Sequence, residues 1–75
     1  MKNREWLIKK RLDRKLTQQQ IADDVEIDRS FYNQIENGVR NPSVETAKKI
    51  ANCLDFDWAV FFEEKNRHNR QNYVG

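Results

Sequence analysis

The chain has 75 residues, with charged side chains at 35% of its positions and a formal net charge of +2. This length supports one small domain with one core, and no apolar run approaches the roughly 20 residues of a membrane helix. The basic N-terminus is not followed by the apolar segment of a signal peptide, and the single cysteine, Cys53, excludes an internal disulfide. We therefore expect a cytoplasmic globular protein in which Cys53 is a small core residue.

The first two predicted elements are helices, because apolar residues recur at helical spacing and strand signals are weak. The apolar residues predict a first helix over about residues 3–13. Thr17 and Gln20 have the spacing of a capping box. This spacing predicts that a second, short helix begins at Thr17, and the helical pattern ends near Asp24.

A third helix is predicted between Asp28 and Glu36. The carboxylate of Asp28 can accept hydrogen bonds from the N–H groups of the first turn, and Gly38 suits a left-handed residue after the last turn. Ser43 is then expected to cap a fourth helix that ends near Leu54.

The last predicted helix is short and is followed by a polar tail. Asp57 is expected to cap this fifth helix, which completes an all-α domain over residues 7–62, and residues 63–75 form the tail. The only histidine, His68, falls in the tail, and no arrangement of nucleophiles, bases or metal ligands is visible. We therefore expect no enzyme activity, no metal site and no cofactor.

One side of the third helix carries short, uncharged polar groups. Ser30, Asn33, Gln34 and Asn37 have the spacing i, i+3, i+4 and i+7, so they form a continuous stripe along one face. Ser and Asn form helices less well than Lys and Glu do, so a face that only needs solvation does not favour them. Base edges in the DNA major groove offer mixed donors and acceptors that such groups can read, which favours DNA binding. The alternative is a polar face that packs against another protein.

The second and third helices, with the short turn between them, have the arrangement of a helix-turn-helix motif over residues 17–36. The sequence LTQQQIADDVEIDRSFYNQIENGVRNPSVETAKKIANCLDFD contains LTQ and IA in the second helix, S-x-x-x-x-IENG through the third, and NPS with A-x-x-IA in the fourth. With these motifs the chain resembles the Cro/cI-type (XRE) helix-turn-helix family over roughly residues 7–62. The resemblance implies a compact, lambda-repressor-like domain of five helices.

The resemblance also implies two sets of DNA contacts. The base-reading candidates lie on the third helix, the recognition helix: Arg29, Ser30, Phe31, Asn33 and Gln34. The phosphate-binding candidates lie at the start of the second helix and after the third: Gln18, Asn37, Arg40, Asn41 and Ser43. Phe31 has a position that often touches DNA in this family, although we favour packing of its ring against the core.

Structural roles follow from the same resemblance. Arg11 and Glu36 match a partly buried salt bridge between the first and third helices, and Tyr32 matches a buried position where its hydroxyl needs a partner. Glu26 stands in the turn where the family often has Gly, and a left-handed conformation of this residue would cost about 1 kcal/mol. Aromatic residues near the fifth helix are candidates for a self-complementary dimer interface: Phe56, Trp58, Phe61 and Phe62.

We therefore expect a sequence-specific transcriptional regulator, a repressor that binds a palindromic operator in double-stranded DNA as a homodimer. Two alternatives stay open. An antitoxin with the same domain would bind a toxin partner and repress its own operon. A protein-interaction module would use the polar stripe of the third helix and would have no salt-sensitive affinity for DNA.

Overall fold

The computed structural model of the protein describes residues 3–63. Four helices follow one another as α1 (Glu5–Asp13), α2 (Gln18–Val25), α3 (Arg29–Glu36) and α4 (Val44–Leu54). One further helical turn, α5, spans residues 60–63, and no strand occurs in the described range. The prediction of an all-α fold with five helices is confirmed, although α1 begins at residue 5 instead of 3. Apart from residue 63, the predicted tail, including His68, lies outside the described residues.

Side-chain caps begin α2 and α4 as predicted. Thr17 Oγ1 accepts a hydrogen bond from Gln20 N at 3.0 Å, and Gln20 Oε1 accepts one from Thr17 N at 2.8 Å. This reciprocal pair completes the capping box. Ser43 Oγ accepts from Thr46 N at 3.1 Å, which satisfies one of the free N–H groups in the first turn of α4.

The two aspartates that were predicted to cap helices differ in their contacts. Asp57 Oδ1 accepts a hydrogen bond from Ala59 N at 3.0 Å, just before α5. Asp28 occupies the N-cap position of α3, but its carboxylate makes no capping hydrogen bond, so that prediction was wrong. The Asp28 side chain is exposed, and its carbonyl oxygen accepts from Tyr32 N at 3.0 Å. The carboxylate therefore contributes only its negative charge, which is favourable at the positive end of the helix dipole.

The core lies between the facing sides of the helices. Helix α2 packs against α3 and α4, and α1 packs against α3. The buried hydrophobic cluster comprises Leu7, Ile21, Ala22, Val25, Tyr32, Ile35, Ala47, Ile50, Leu54 and Phe61. Cys53 packs against this cluster, and burial, assisted by the Asp24 carboxylate, raises the pKa of its thiol to about 11. The thiol is thus protonated at neutral pH and serves as a small hydrophobic residue. No helix among residues 3–63 is both long enough and apolar enough to cross a bilayer.

Glu26 closes α2 in the left-handed conformation, with φ 63° and ψ 45°. The next residue, Ile27, donates its N–H to Ala22 O at 2.9 Å, which is the long hydrogen bond of a Schellman motif. The turn between α2 and α3 therefore adopts the conformation that glycine favours, even though a residue with a Cβ occupies it. The left-handed conformation of Glu26 therefore lowers the stability of the folded state.

Replacement of Glu26 by Gly is accordingly expected to raise the free energy of unfolding by about 0.5–1 kcal/mol, because glycine has no Cβ to clash at positive φ. The 4.0 Å ion pair from Lys49 to Glu26 is exposed, so its loss subtracts little. Urea unfolding followed by circular dichroism measures the change. Asp24→Gly is the matched control: Asp24 lies inside α2, and glycine there should lower stability by about 0.5–1 kcal/mol. A loss of stability in both variants would contradict the prediction.

Candidate nucleic-acid interface

Helix α3 presents one buried side and one polar side. Tyr32, Ile35 and Glu36 are buried, whereas Arg29 and Ser30 are exposed in the first turn. Two further members of the polar stripe, Asn33 and Gln34, are half-buried. Phe31 is also half-buried and packs against the core, so only part of its ring faces outward.

Gln18 connects the start of α2 to α3 through both ends of its amide. Gln18 Nε2 donates to Glu36 Oε1 at 2.9 Å, and Gln18 Oε1 accepts from Asn33 Nδ2 at 3.2 Å. Asn33 Oδ1 in turn accepts from Asn37 Nδ2 at 3.0 Å. These three amides form a chain of hydrogen bonds that fixes the orientation of each one. Three of the proposed DNA-contacting residues are thereby bound to one another in the protein itself.

Arg29, Ser30 and Gln34 differ from Asn33 in this respect. Within residues 3–63, the side chains of these three residues make no hydrogen bond or ion pair. Their donors and acceptors remain available to an external partner. The sequence placed Ser30, Asn33 and Gln34 in one stripe, but only the tertiary structure separates the engaged amide of Asn33 from its neighbours.

Arg11 and Glu36 lie in contact between α1 and α3. Arg11 Nε donates to Glu36 Oε2 at 2.6 Å, and Arg11 Nη2 donates to Glu36 Oε1 at 3.2 Å. The Arg11 side chain is 12% exposed and the Glu36 side chain 1% exposed, so the pair is largely removed from water. A third guanidinium nitrogen, Nη1, donates to Leu16 O at 2.9 Å. This bidentate pair fixes the recognition helix relative to α1.

The environment of Glu36 holds the pKa of its carboxyl below the usual value. Burial acts to raise the pKa, but hydrogen bonds from Arg11 and Gln18 to the carboxylate outweigh it. Burial also raises the pKa of the neighbouring Tyr32 hydroxyl well above its usual value. This hydroxyl was expected to need a partner, yet within the described chain it has no hydrogen bond of normal geometry. Tyr32 is therefore neutral and acts mainly through the volume of its ring.

Acidification should remove the stabilisation that Glu36 provides. Because the folded-state pKa is below the unfolded value of about 4.3, the stabilisation is complete above that value. It is lost as the pH falls through the folded-state pKa. Urea unfolding at pH 7, 5, 4 and 3 should show wild type losing its advantage over Glu36→Gln only below about pH 4.3. Parallel pH dependence in the two proteins would contradict this assignment.

The loop between α3 and α4 holds the remaining phosphate-binding candidates. Gly38 allows the chain to leave α3 with φ 79°, and Val39 N and Arg40 N both donate to Gln34 O, at 3.0 and 3.2 Å. The side chains of Arg40 and Asn41 are exposed. The loop thus turns back on the end of α3 and presents one cation and one amide beside the polar stripe.

Arg4 contacts this loop, although no motif in the sequence indicates such a role. Its Nη1 donates to Ile35 O at 2.6 Å and to Arg40 O at 3.0 Å, and its Nη2 donates to Asn41 Oδ1 at 2.5 Å. The residue is only 7% exposed. In the sequence Arg4 is one basic residue at the start of the first predicted helix, which does not differ from an ordinary solvated charge.

The aromatic residues near α5 divide between core and surface. Phe61 is 3% exposed, and its ring lies against Trp6 and Phe56, with centroid distances of 5.2 and 5.7 Å. We therefore remove Phe61 from the predicted dimer interface, because its ring fills the core of a single chain. Trp58 and Phe62 are half-buried and contact each other edge to face at 5.7 Å, so they remain candidates together with Phe56.

Comparison with known proteins identifies the family of this arrangement. Residues 7–61 match the family described as helix-turn-helix. The chain belongs to the helix-turn-helix family. Its motif consists of α2, the turn at Glu26, and α3. These are the two helices that the polar stripe and the capping box predicted.

Two known proteins are similar in sequence to this chain. The uncharacterized HTH-type transcriptional regulator YqaF of Bacillus subtilis (strain 168) is 46% identical over 69 residues, which cover 88% of this chain and 91% of YqaF. Control protein C.MunI of Mycoplasma sp is 35% identical over 49 residues, which cover 65% of this chain and 66% of C.MunI.

A solved structure has the same helix-turn-helix fold. C.Esp1396I bound to a 25 base pair operator site matches with a TM-score of 0.61 and 31% sequence identity. The match covers 77% of this chain and 76% of the C.Esp1396I chain. The five helices therefore form the lambda-repressor-like domain that the sequence resemblance implied.

Proposed function

We propose that this protein is a sequence-specific DNA-binding transcriptional regulator that acts in the cytoplasm without enzyme activity. The observation that carries the proposal is the outer face of α3. Arg29, Ser30 and Gln34 offer unengaged polar groups there, beside the exposed Arg40 and Asn41 of the following loop. Family membership supports this reading, as do the similarity to a protein named as a transcriptional regulator and the operator complex of C.Esp1396I.

The proposed binding mode places α3 in the DNA major groove. Arg can read guanine, Gln can read adenine, and Ser can contact either, so the face of α3 can discriminate base pairs. Phosphate contacts come from the N-terminal end of α2 at Gln18 and from Arg40 and Asn41. Because Gln18 is hydrogen-bonded to both Asn33 and Glu36, a phosphate held at α2 also fixes the orientation of α3.

Useful specificity for so small a domain requires two copies on the operator. We propose a homodimer on a palindrome, with half-sites about 34 Å apart, that represses transcription by occupying a promoter. The surface offered for the second copy includes Trp58 and Phe62, with Lys48 Nζ 5.1 Å from the centroid of the Trp58 ring. An aromatic pair that is half-buried in one chain can bury its remaining area against the same pair of another chain.

Selection from a pool of random-sequence duplexes, carried out with the purified protein at two salt concentrations, tests the proposal. We expect enrichment of a palindrome, two chains bound to each duplex, and weaker binding at the higher salt concentration. Sedimentation of the selected complex gives the number of chains. Flat enrichment with little affinity at low salt would overturn the proposal. It would favour a protein-binding role for the polar stripe.

A further inference from the structure

We propose that Arg4 is a positioning residue that holds the loop between α3 and α4 in its DNA-binding conformation. The proposal rests on the phosphate-binding role of that loop given above. Arg4 belongs to the segment just before α1, yet its guanidinium reaches acceptors 31 to 37 positions further along the chain. Three acceptors on two elements therefore meet at one buried cation: the end of α3 supplies Ile35 O, and the loop supplies Arg40 O and Asn41 Oδ1.

The main chain of Arg4 strengthens the same connection. Arg4 N donates to Glu36 O at 2.7 Å, so both the backbone and the side chain of Arg4 bind carbonyl groups at the C-terminal end of α3. Carbonyls at this end have no partner within the helix itself, although Ile35 O also accepts from Gly38 N at 3.2 Å, and a cation beside them is favoured by the helix dipole. Arg4 is also the N-cap residue of α1. One residue thus joins the start of α1 to the end of the recognition helix.

The geometry requires arginine in particular. The planar guanidinium directs its N–H groups in fixed directions and satisfies separate acceptors at once, whereas a lysine ammonium is a single point charge. The Arg4 guanidinium also lies 5.5 Å from the centroid of the Phe61 ring, which restricts its position from the other side. The buried guanidinium is consequently held between an aromatic ring and the loop.

The consequence for binding lies in the orientation of two exposed side chains. Arg4 holds Arg40 by its carbonyl oxygen and Asn41 by its side-chain oxygen, so the cationic end of Arg40 and the NH₂ group of Asn41 stay available to phosphates. A loop that is ordered before it meets DNA loses less conformational entropy on binding. Arg4 therefore acts on affinity through Arg40 and Asn41 and has no role in choosing bases.

The substitution Arg4→Lys tests this role, because it conserves charge and much of the aliphatic stem. We expect Arg4→Lys to weaken binding to the selected operator and to a random duplex alike, by about tenfold, with the base preference unchanged. Nuclear magnetic resonance of the DNA-free variant should show faster amide exchange at Val39 and Arg40, whose N–H groups close the loop on Gln34 O. Affinities are compared at a temperature where both proteins are folded, as judged by circular dichroism.

A double-mutant cycle distinguishes positioning from a general loss of structure. The loss of affinity caused by Arg4→Lys should be clearly smaller in the Arg40→Ala background than in wild type, because only the contact of Asn41 is then left for Arg4 to position. Arg14→Lys is the matched control, since the Arg14 guanidinium forms its ion pair with Asp55, after the end of α4, at 3.6 Å. This control should bind like wild type.

Two results would overturn the inference: unchanged loop exchange in Arg4→Lys, or losses of affinity from Arg4→Lys and Arg40→Ala that simply add. Failure of the underlying function gives a different result. In that case the wild-type protein itself shows no salt-sensitive affinity for DNA, while the exchange measurement, made without DNA, still reports whether Arg4 orders the loop.

Discussion

Replacement of Arg11 by Met is expected to lower the free energy of unfolding by about 3–5 kcal/mol at neutral pH. Two guanidinium nitrogens of Arg11 donate to the two carboxylate oxygens of Glu36, at 2.6 and 3.2 Å. Without them, a carboxylate whose side chain is only 1% exposed remains in the protein without its cation. Gln18 still donates to that carboxylate, but a neutral amide supplies no compensating charge.

Urea unfolding followed by tryptophan fluorescence measures this loss, and two further variants show its origin. Arg14→Met removes an exposed ion pair to Asp55, with side chains 46% and 87% exposed, and should cost less than about 1 kcal/mol. The double variant Arg11→Met with Glu36→Leu should recover much of the loss, because no unpaired buried charge remains. Similar losses for Arg11→Met and Arg14→Met would contradict the assignment of a desolvated, structurally important pair.

Replacement of Gln34 by Ala is expected to reduce discrimination at one base pair of each operator half-site by about 1–3 kcal/mol, or roughly 5- to 150-fold. Within residues 3–63 the Gln34 amide makes no hydrogen bond, so both its donors and its acceptor are available to a base edge. Asn33, one residue earlier, is bound through its amide to Gln18 and Asn37. Gln34 is therefore the better candidate of the two for direct base readout.

Selection repeated with the variant protein, followed by titration of operators that carry single base changes, measures the loss of discrimination. Arg40→Ala is the comparison. Loss of a phosphate contact should weaken binding to all duplexes about equally and reduce the slope of log affinity against log salt concentration by about 1. A change of base preference in Arg40→Ala, or equal weakening of binding to all duplexes in Gln34→Ala, would contradict the assignment of Gln34 to base readout and Arg40 to phosphate contact. Asn33→Ala breaks the hydrogen bonds to Gln18 and Asn37, so it should lower both the stability of the protein and its affinity for DNA.

Local patterns of the sequence were sufficient to predict the helices and the polar face of α3. The capping box at Thr17 and Gln20 and the turn at Gly38 depend on neighbours within a few positions. For the same reason, helical periodicity predicted the helices and placed Ser30, Asn33 and Gln34 together on one face of α3. The Arg11–Glu36 pair needed more than periodicity, because its members lie 25 positions apart and only the family resemblance related them.

The tertiary structure decided which of the predicted side chains remain available. The Asn33 amide is engaged by Gln18 across 15 positions, and the Phe61 ring fills the core beside Trp6. Arg4 reaches its acceptors across more than 30 positions. A polar residue in an exposed stripe has the same local pattern whether its hydrogen bonds go to water, to DNA or to a distant part of its own chain. Only the packing of the helices fixes that choice, because it brings donors and acceptors together that are far apart in sequence.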